Sequence, residues 1–338
     1  MTATHLVVGP SRHGVVTFAA NLAASLRDVG GPVDVLRLPH FQDLDDADRR
    51  CGGAHLNFTD RLFGATPLDA AHRVAELARQ ATSACSRVTV TLHDVPQPSD
   101  GGNYPQRVQA YREVCAAVDG VVVNSDHERS LLAESGIADP AAVVVIPLPL
   151  DLGDLAPRPV VEDRSIGVFG FLYPGKGHDE VLAAMANLPT SVGFVAVGEP
   201  SAGHDDVVQS LAATAARTGR PFSVTGYVAD DGLDDVLRGV TVPVAHHRHV
   251  SASGSINTWI AAGRRPLVPV NRYTLEHAER HPGTLVPYPD TADGLRTSLR
   301  RALEDLDSTW IAAGAGSGSP SRVTAALYAQ ALSRWHDV

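Results

Sequence analysis

Ile166-Gly-Val-Phe-Gly-Phe-Leu-Tyr-Pro-Gly-Lys176-Gly177 runs from a short apolar strand pattern into a glycine-rich turn, and His178-Asp-Glu opens a helical pattern directly after it. Strand, glycine loop and helix start in that order make one βα unit. Bare N–H groups at such a turn and the dipole of the following helix favour an anion, and an ammonium adds a point charge. Lys176 is the chain's sole lysine, the other 27 of its 28 basic residues being arginine. Where arginine is the default cation, a lysine fits a site that needs a compact ammonium rather than a planar fork. A surface βα loop whose glycines serve only the turn is the competing reading. Gly170 to Lys176 also satisfies G-x-x-x-x-G-K, the opening of a phosphate-binding P-loop. Gly177 stands where that loop needs Ser or Thr for magnesium, and Pro174 removes one cradle N–H.

Outward from this unit the same alternation fills the chain. Strand patterns fall at 4–8, 33–37, 54–58, 87–92, 119–124 and 142–147, with helical periodicity at about 14–28, 68–84, 103–117 and 126–135. Ser125 and Glu128 form a capping-box pattern at the last helix. The segment from Pro147 to Asp163 holds four prolines and four acidic residues and reads as an exposed linker. Strands resume at 165–170, 192–197, 222–226, 241–245, 266–270 and 284–287. Residues 313–320, AGAGSGSP, break the pattern before a final amphipathic helix ending in Leu332, Trp335 and Val338. These patterns predict an α/β protein of two Rossmann-like, doubly wound parallel-sheet domains facing across a cleft. The domains span 1–154 and 155–320, and the helix at 321–338 packs back on the first.

Composition narrows the partners. With 338 residues, 44% hydrophobic and 20% charged, the chain is an ordinary globular sequence. Its 28 basic and 38 acidic residues give a formal charge of -10, which repels nucleic-acid backbones. A local basic patch at an acidic membrane surface stays open. Cys51, Cys85 and Cys115 are odd in number and widely spaced, so reduced thiols and a cytoplasmic location are expected. MTATHLVVGP enters a strand pattern at once, without a signal-peptide pattern, and no apolar run reaches membrane-spanning length. The sequon Asn57-Phe58-Thr59 then carries no glycan.

Two further segments bear chemistry. Val242-Pro-Val-Ala-His-His-Arg-His249 ends a strand in a polar corner, and Ser253-Gly254-Ser255 starts a helix. Small residues there admit a diphosphate to the N–H groups, with Arg248 placed to neutralise it; a plain N-cap is the alternative. His246, His247 and His249 alternate in direction and lack a carboxylate or cysteine partner, so no metal is expected. Thr91-Leu92-His93-Asp94-Val95 sits at a strand's carboxyl end, where His93 can hydrogen-bond a ligand or be a satisfied loop histidine. The loop Gly9-Pro-Ser-Arg-His-Gly14 precedes a helix and offers Gly14 to a ligand.

Taken in order, these segments resemble retaining glycosyltransferases of the GT-B fold, in the large bacterial family 4, over nearly the whole chain. Gly14-Val-Val-Thr-Phe is similar to the family's first glycine loop, Thr-Leu-His93-Asp-Val to its strand-end histidine motif, and Asp119-Gly-Val-Val-Val-Asn-Ser125 to the strand before the crossover. Val-Ile-Pro147-Leu-Pro-Leu-Asp151 resembles the linker entry. Gly170-Phe-Leu-Tyr-Pro-Gly-Lys176-Gly resembles the glycine-arginine-leucine…lysine-glycine segment, and Val-Thr225-Gly-Tyr227-Val the strand beside the donor base. Departures are definite. Phe171 replaces the usual arginine, and Val250 and Thr258 stand where paired glutamates are expected. Arg248 with Ser253-Gly254-Ser255 resembles a proline-tyrosine-arginine, serine-glycine-serine subgroup. Glu276 lies 13 residues after Gly263, where the family often has a glutamate.

The resemblance implies transfer of a sugar from a nucleoside-diphosphate sugar to a sugar, glycan, lipid or natural-product hydroxyl, with retention, no metal and no other cofactor. It assigns His93, Lys176 and Arg248 to catalysis. The donor falls to Gly14, Lys176, Arg248, Ser253, Gly254, Ser255, Tyr227 and Glu276. A non-catalytic nucleotide-binding GT-B partner, a P-loop phosphotransferase and a pyridoxal-phosphate phosphorylase with Lys176 as its Schiff base remain as alternatives.

Overall fold

The computed structural model describes residues 3–30, 33–44, 53–83, 86–153, 157–161, 163–312 and 319–336. The chain divides into two compact units, Met1–Pro149 with Ser319–Val338, and Leu150–Gly318. Cys51, Cys85, Val338 and most of the AGAGSGSP segment lie outside the described residues. Cys115 is a free, half-buried thiol that burial pushes up to about 12.

Unit 1 is built from β1 (Thr4–Val8), α1 (Gly14–Asp28), β2 (Asp34–Leu38), β3 (Ala54–Phe58), α2 (Asp60–Phe63), α3 (Pro67–Ser83), β4 (Val88–Leu92), α4 (Tyr104–Ala117), β5 (Gly120–Val123), α5 (Asp126–Glu134) and β6 (Val143–Val145). Its strands pair in parallel in the order β2-β1-β3-β4-β5-β6. The central strands β3 and β4 are buried at every residue, as sheets covered by helices on both faces require. Ser125 caps α5 by accepting from the Glu128 N–H, and the Glu128 carboxylate reaches back to the Asn124 N–H at 2.6 Å. The capping pattern read from Ser125 and Glu128 is thus formed, with the reciprocal bond seen on Asn124.

Unit 2 holds β7 (Ser165–Phe169), α6 (His178–Ala184), β8 (Gly193–Val197), α7 (Asp205–Arg217), β9 (Phe222–Val224), α8 (Asp230–Gly239), β10 (Val242–Val244), α9 (Gly254–Ala261), β11 (Leu267–Pro269), α10 (Arg272–Arg280), β12 (Val286–Tyr288) and α11 (Ala292–Glu304). Its parallel order is β12-β11-β10-β7-β8-β9. The chain winds outward from β7 in one direction and, after β9, outward from β10 in the other. The boundary between β7 and β10 is therefore a topological switch point.

The final helix, α12 (Ser321–His336), packs on α1 within unit 1, burying Ala325, Tyr328, Ala331 and Leu332. It docks through side chains fitted to glycine: a Cβ on Gly120 would lie 2.3 Å from the Trp335 ring. Tyr328 hydroxyl meets Thr91 Oγ1 at 3.1 Å, and His336 Nε2 meets Thr89 Oγ1 at 3.2 Å.

Two expectations change. Residues 225–228 do not extend β9, which stops at Val224, because Thr225 turns its hydroxyl to the Gly198 N–H instead of continuing the ladder. The linker is not uniformly exposed either. Leu150 is only 1% exposed and packs with Ile256, Ile260 and Tyr273, so the chain is tied into unit 2 as soon as it leaves unit 1. Residues 157–160 are exposed as expected.

Candidate functional site

In unit 2 the two loops that leave the sheet at the switch point are held together residue by residue. After β7 the chain runs through Gly170 to Gly177 before α6. After β10 it runs through His246 to Ser253 before α9. Gly177 adopts φ +100°, and a Cβ there would lie 2.0 Å from the His246 carbonyl oxygen. Only glycine allows that approach. The Arg248 N–H donates to the Gly175 carbonyl at 3.3 Å, and its guanidinium Nε meets Glu180 Oε1, on α6, at 2.6 Å.

At the centre Lys176 Nζ donates to Ser255 Oγ at 3.2 Å. The lysine is mostly buried, packed against Gly170 and within 6.0 Å of the Tyr173 ring centroid. Ser253 caps α9 by accepting from the Ile256 N–H at 3.3 Å, while its own N–H goes to the Tyr273 hydroxyl at 3.0 Å. The two serine hydroxyls are 3.2 Å apart, and the buried His247 ring lies 3.4 Å from each. Asn257 is braced by His277 Nε2 at 2.9 Å. At the mouth of α9, beside the lysine ammonium, the N–H groups of Gly254 and Ser255 have no partner among the described residues. Burial, and then the nearby Lys176 charge, hold His247 well below the usual histidine range and His178 down at about 3. Both imidazoles are neutral near pH 7, so positive charge at the α9 mouth comes from Lys176.

The residues singled out in the sequence scatter in part. Lys176, Ser253, Gly254 and Ser255 converge, and Arg248 joins through Gly175 while its guanidinium rests on Glu180. His246 turns to the Tyr288 hydroxyl and His247 to the serines, so the histidine run splits. Tyr227 lies in the irregular stretch after β9, 47% exposed. Glu276 sits on α10 and pairs with Arg280, four residues on, at 2.9 Å. Glu180, Tyr273 and Asn257 carry no pattern in the sequence that marks them, because their partners are distant in the chain. Gly177 has no side chain to offer magnesium, which is where the P-loop pattern also fails.

Unit 1 has its own pole at the carboxyl ends of β1, β3 and β4. His93 is buried, with Nε2 3.1 Å from Asn57 Oδ1 and the Phe18 ring edge-on at 5.2 Å. Burial lowers it to about 4 despite the neighbouring Asp94 charge. His13 accepts from the Val15 N–H at 3.3 Å at the start of α1. Gly14 opens α1 with nothing within 4 Å of an added Cβ, so packing does not require glycine there.

No family model matches the chain. The D-inositol 3-phosphate glycosyltransferases of Kineococcus radiotolerans and Segniliparus rotundus are each 31% identical, over 170 and 160 residues. These alignments cover 45% and 44% of this chain and 34% of each relative. The chain thus spans about a third of the length of the curated relatives it matches. Among solved structures, Anabaena HepE in complex with UDP and glucose is 16% identical at a TM-score of 0.72, covering 98% of this chain and 95% of the other. Sucrose-phosphate synthase from Thermosynechococcus elongatus is 14% identical at a TM-score of 0.70, covering 99% and 95%. With its two six-stranded parallel sheets, the chain has the GT-B fold of these glycosyltransferase structures.

Proposed function

We propose that this chain is a retaining glycosyltransferase that moves a hexosyl group from a nucleoside-diphosphate sugar to an acceptor hydroxyl. One observation carries the reading. At the switch point of unit 2, Lys176 Nζ lies beside the N–H groups of Gly254 and Ser255, which have no partner among the described residues, an arrangement that suits an anion. A relative of the same fold was solved with UDP-glucose, a ligand whose diphosphate such a mouth would suit.

The chemistry follows from the leaving group. As the bond from the anomeric carbon to the diphosphate oxygen lengthens, negative charge accumulates on the diphosphate. Donors already aimed at that position stabilise the transition state more than the ground state. Lys176, the two α9 amides and the Ser255 hydroxyl take that part, with Arg248 recruited from Glu180. Tyr227 and Glu276 are proposed for the nucleoside and sugar ends of the donor, and Gly14 for close approach of its backbone. His93 orients the acceptor or hydrogen-bonds the transferred sugar as a neutral imidazole. The family resemblance supports front-face retention, in which the departing phosphate oxygen receives the acceptor proton while the acceptor oxygen bonds to the anomeric carbon. In this reading the protein cations and amides serve without a bound metal, so EDTA leaves turnover unchanged.

A thermal-shift screen against UDP, GDP, dTDP and ADP sugars identifies the donor, since a ligand bound to the native state raises its stability. With that donor, Lys176→Ala lowers kcat by a factor corresponding to about 2–4 kcal/mol. A variant of near-normal turnover overturns the role given to Lys176. Nucleotide binding without transfer to any acceptor would instead mark a non-catalytic partner.

A further inference from the structure

Asp94 is the one non-glycine residue at positive φ among the described residues, at φ +50°. It directly follows His93 at the carboxyl end of β4, and its side chain is exposed. The surrounding structure holds this corner by force. Arg107 Nη2 donates to the Asp94 carbonyl at 2.6 Å, and the Tyr111 hydroxyl donates to the His93 carbonyl at 2.7 Å. Arg107 is itself fixed by Asp60, at 3.1 and 3.3 Å, and by Asp100 at 2.7 Å. Arg107, Asp60 and Tyr111 are all largely buried. A buried guanidinium with two carboxylates is a large polar investment for a turn that glycine would make without strain. Unfavourable backbone held in place by its surroundings is characteristic of ligand-binding positions.

The carboxylate is aimed as well as exposed. Thr59 Oγ1 donates to Oδ2 at 3.2 Å, while Oδ1 has no hydrogen-bond partner among the described residues. The Asp94 charge acts on both His13 and His93, so the three groups share one pole of unit 1. A carboxylate oxygen beside a neutral imidazole, at the end of a parallel sheet, is a receptor for O–H groups.

Resting on the transferase reading, we propose that Asp94 is an acceptor-binding residue whose Oδ1 takes a hydroxyl of a polyhydroxylated acceptor. The clamp of Arg107 and Tyr111 keeps its side chain at the sheet end at the expense of backbone comfort.

The test uses the full chain with the donor found by thermal shift and myo-inositol, glucose and glycerol as acceptor probes. Asp94→Gly keeps the left-handed turn and removes the carboxylate. Its expected result is a Tm equal to or above wild type, unchanged nucleoside-diphosphate affinity by calorimetry, and an acceptor KM raised tenfold or more. Asp94→Asn, which also tolerates this backbone and keeps one oxygen, gives a smaller rise. Unchanged acceptor KM in Asp94→Gly overturns the inference, as does a wild type that uses none of the three polyols faster than water. A wild type that binds none of the nucleotides overturns the transferase reading itself, which is a separate outcome.

Discussion

Arg248 shows how much a single side chain can leave undecided. Phe171 stands where the glycosyltransferases this sequence resembles usually have an arginine, and Arg248 is the nearest substitute in the sequence, yet its guanidinium rests on Glu180 at 2.6 Å. The arginine side chain is 65% exposed, and an ion pair in such a setting contributes no more than about 1 kcal/mol. Its backbone, by contrast, is fixed to the lysine loop through Gly175. On the proposed function, a diphosphate at the α9 mouth would compete with Glu180 for a cation that is released at little energetic cost. Arg248→Ala is expected to weaken nucleoside-diphosphate binding, and Phe171→Ala to leave it largely unchanged. Glu180→Ala should strengthen binding by up to about fivefold, the equivalent of that pair, and should have no effect in the Arg248→Ala background. Calorimetric titration of the four proteins closes this double-mutant cycle. An effect of Glu180→Ala that survives without Arg248 shows that Glu180 acts on the ligand by another route.

At the scale of elements the two contacts most open to test are a cap and a socket. Ser253→Ala removes the hydroxyl that caps α9, and the expected loss is about 1 kcal/mol of stability, read as a lower chemical-denaturation midpoint. Gly120→Ala places a methyl 2.3 Å from the Trp335 ring. Overpacking of that kind costs about 1–3 kcal/mol, and here it should appear as faster proteolysis of α12. The elements themselves were legible. Every strand of both sheets lies within two residues of its sequence pattern at each end, because a strand buried on both faces is a short apolar run between turn residues. Thr225–Val228 misled because its β-branched residues fit a strand while a single hydroxyl bond to Gly198 ends the ladder. Leu150 misled because proline and acid around it masked one buried leucine. In the site, Lys176 and Ser253–Ser255 announced themselves through local pattern. Glu180, Tyr273, Asp94 and its Arg107 clamp did not, since each depends on partners tens of residues away that only the fold brings near.

Across the whole molecule, buried histidines set how stability responds to acid. In unit 1, His5 is lowered to about 4 by burial and then by His336 and Arg27, His93 to about 4 by burial, and His55 is held well below its usual value. In unit 2, burial lowers His178 and His277 to about 3 and holds His247 well below the ordinary range. Each of these groups binds a proton more readily in the unfolded chain, near 6.5, than in the fold. Their stabilising effect is complete above that value. It is lost as pH falls through 6.5 towards 4 for His5 and His93, and towards 3 for His178 and His277. The loss is about 1.4 kcal/mol per pH unit for each such group. Both units should therefore lose Tm steeply between pH 6.5 and about 5, in a range where ordinary carboxylates are still mostly ionised. His178 isolates the cause, because neither of its buried ring nitrogens has a hydrogen-bond partner among the described residues and its ring packs on Phe194. His178→Met keeps an apolar filler of similar reach and sacrifices no hydrogen bond. Its Tm at pH 7.5 should match or exceed wild type, and its slope against pH below 6.5 should be shallower by the share of one imidazole. An unchanged slope would show that His178 is already solvated and free to charge in the fold.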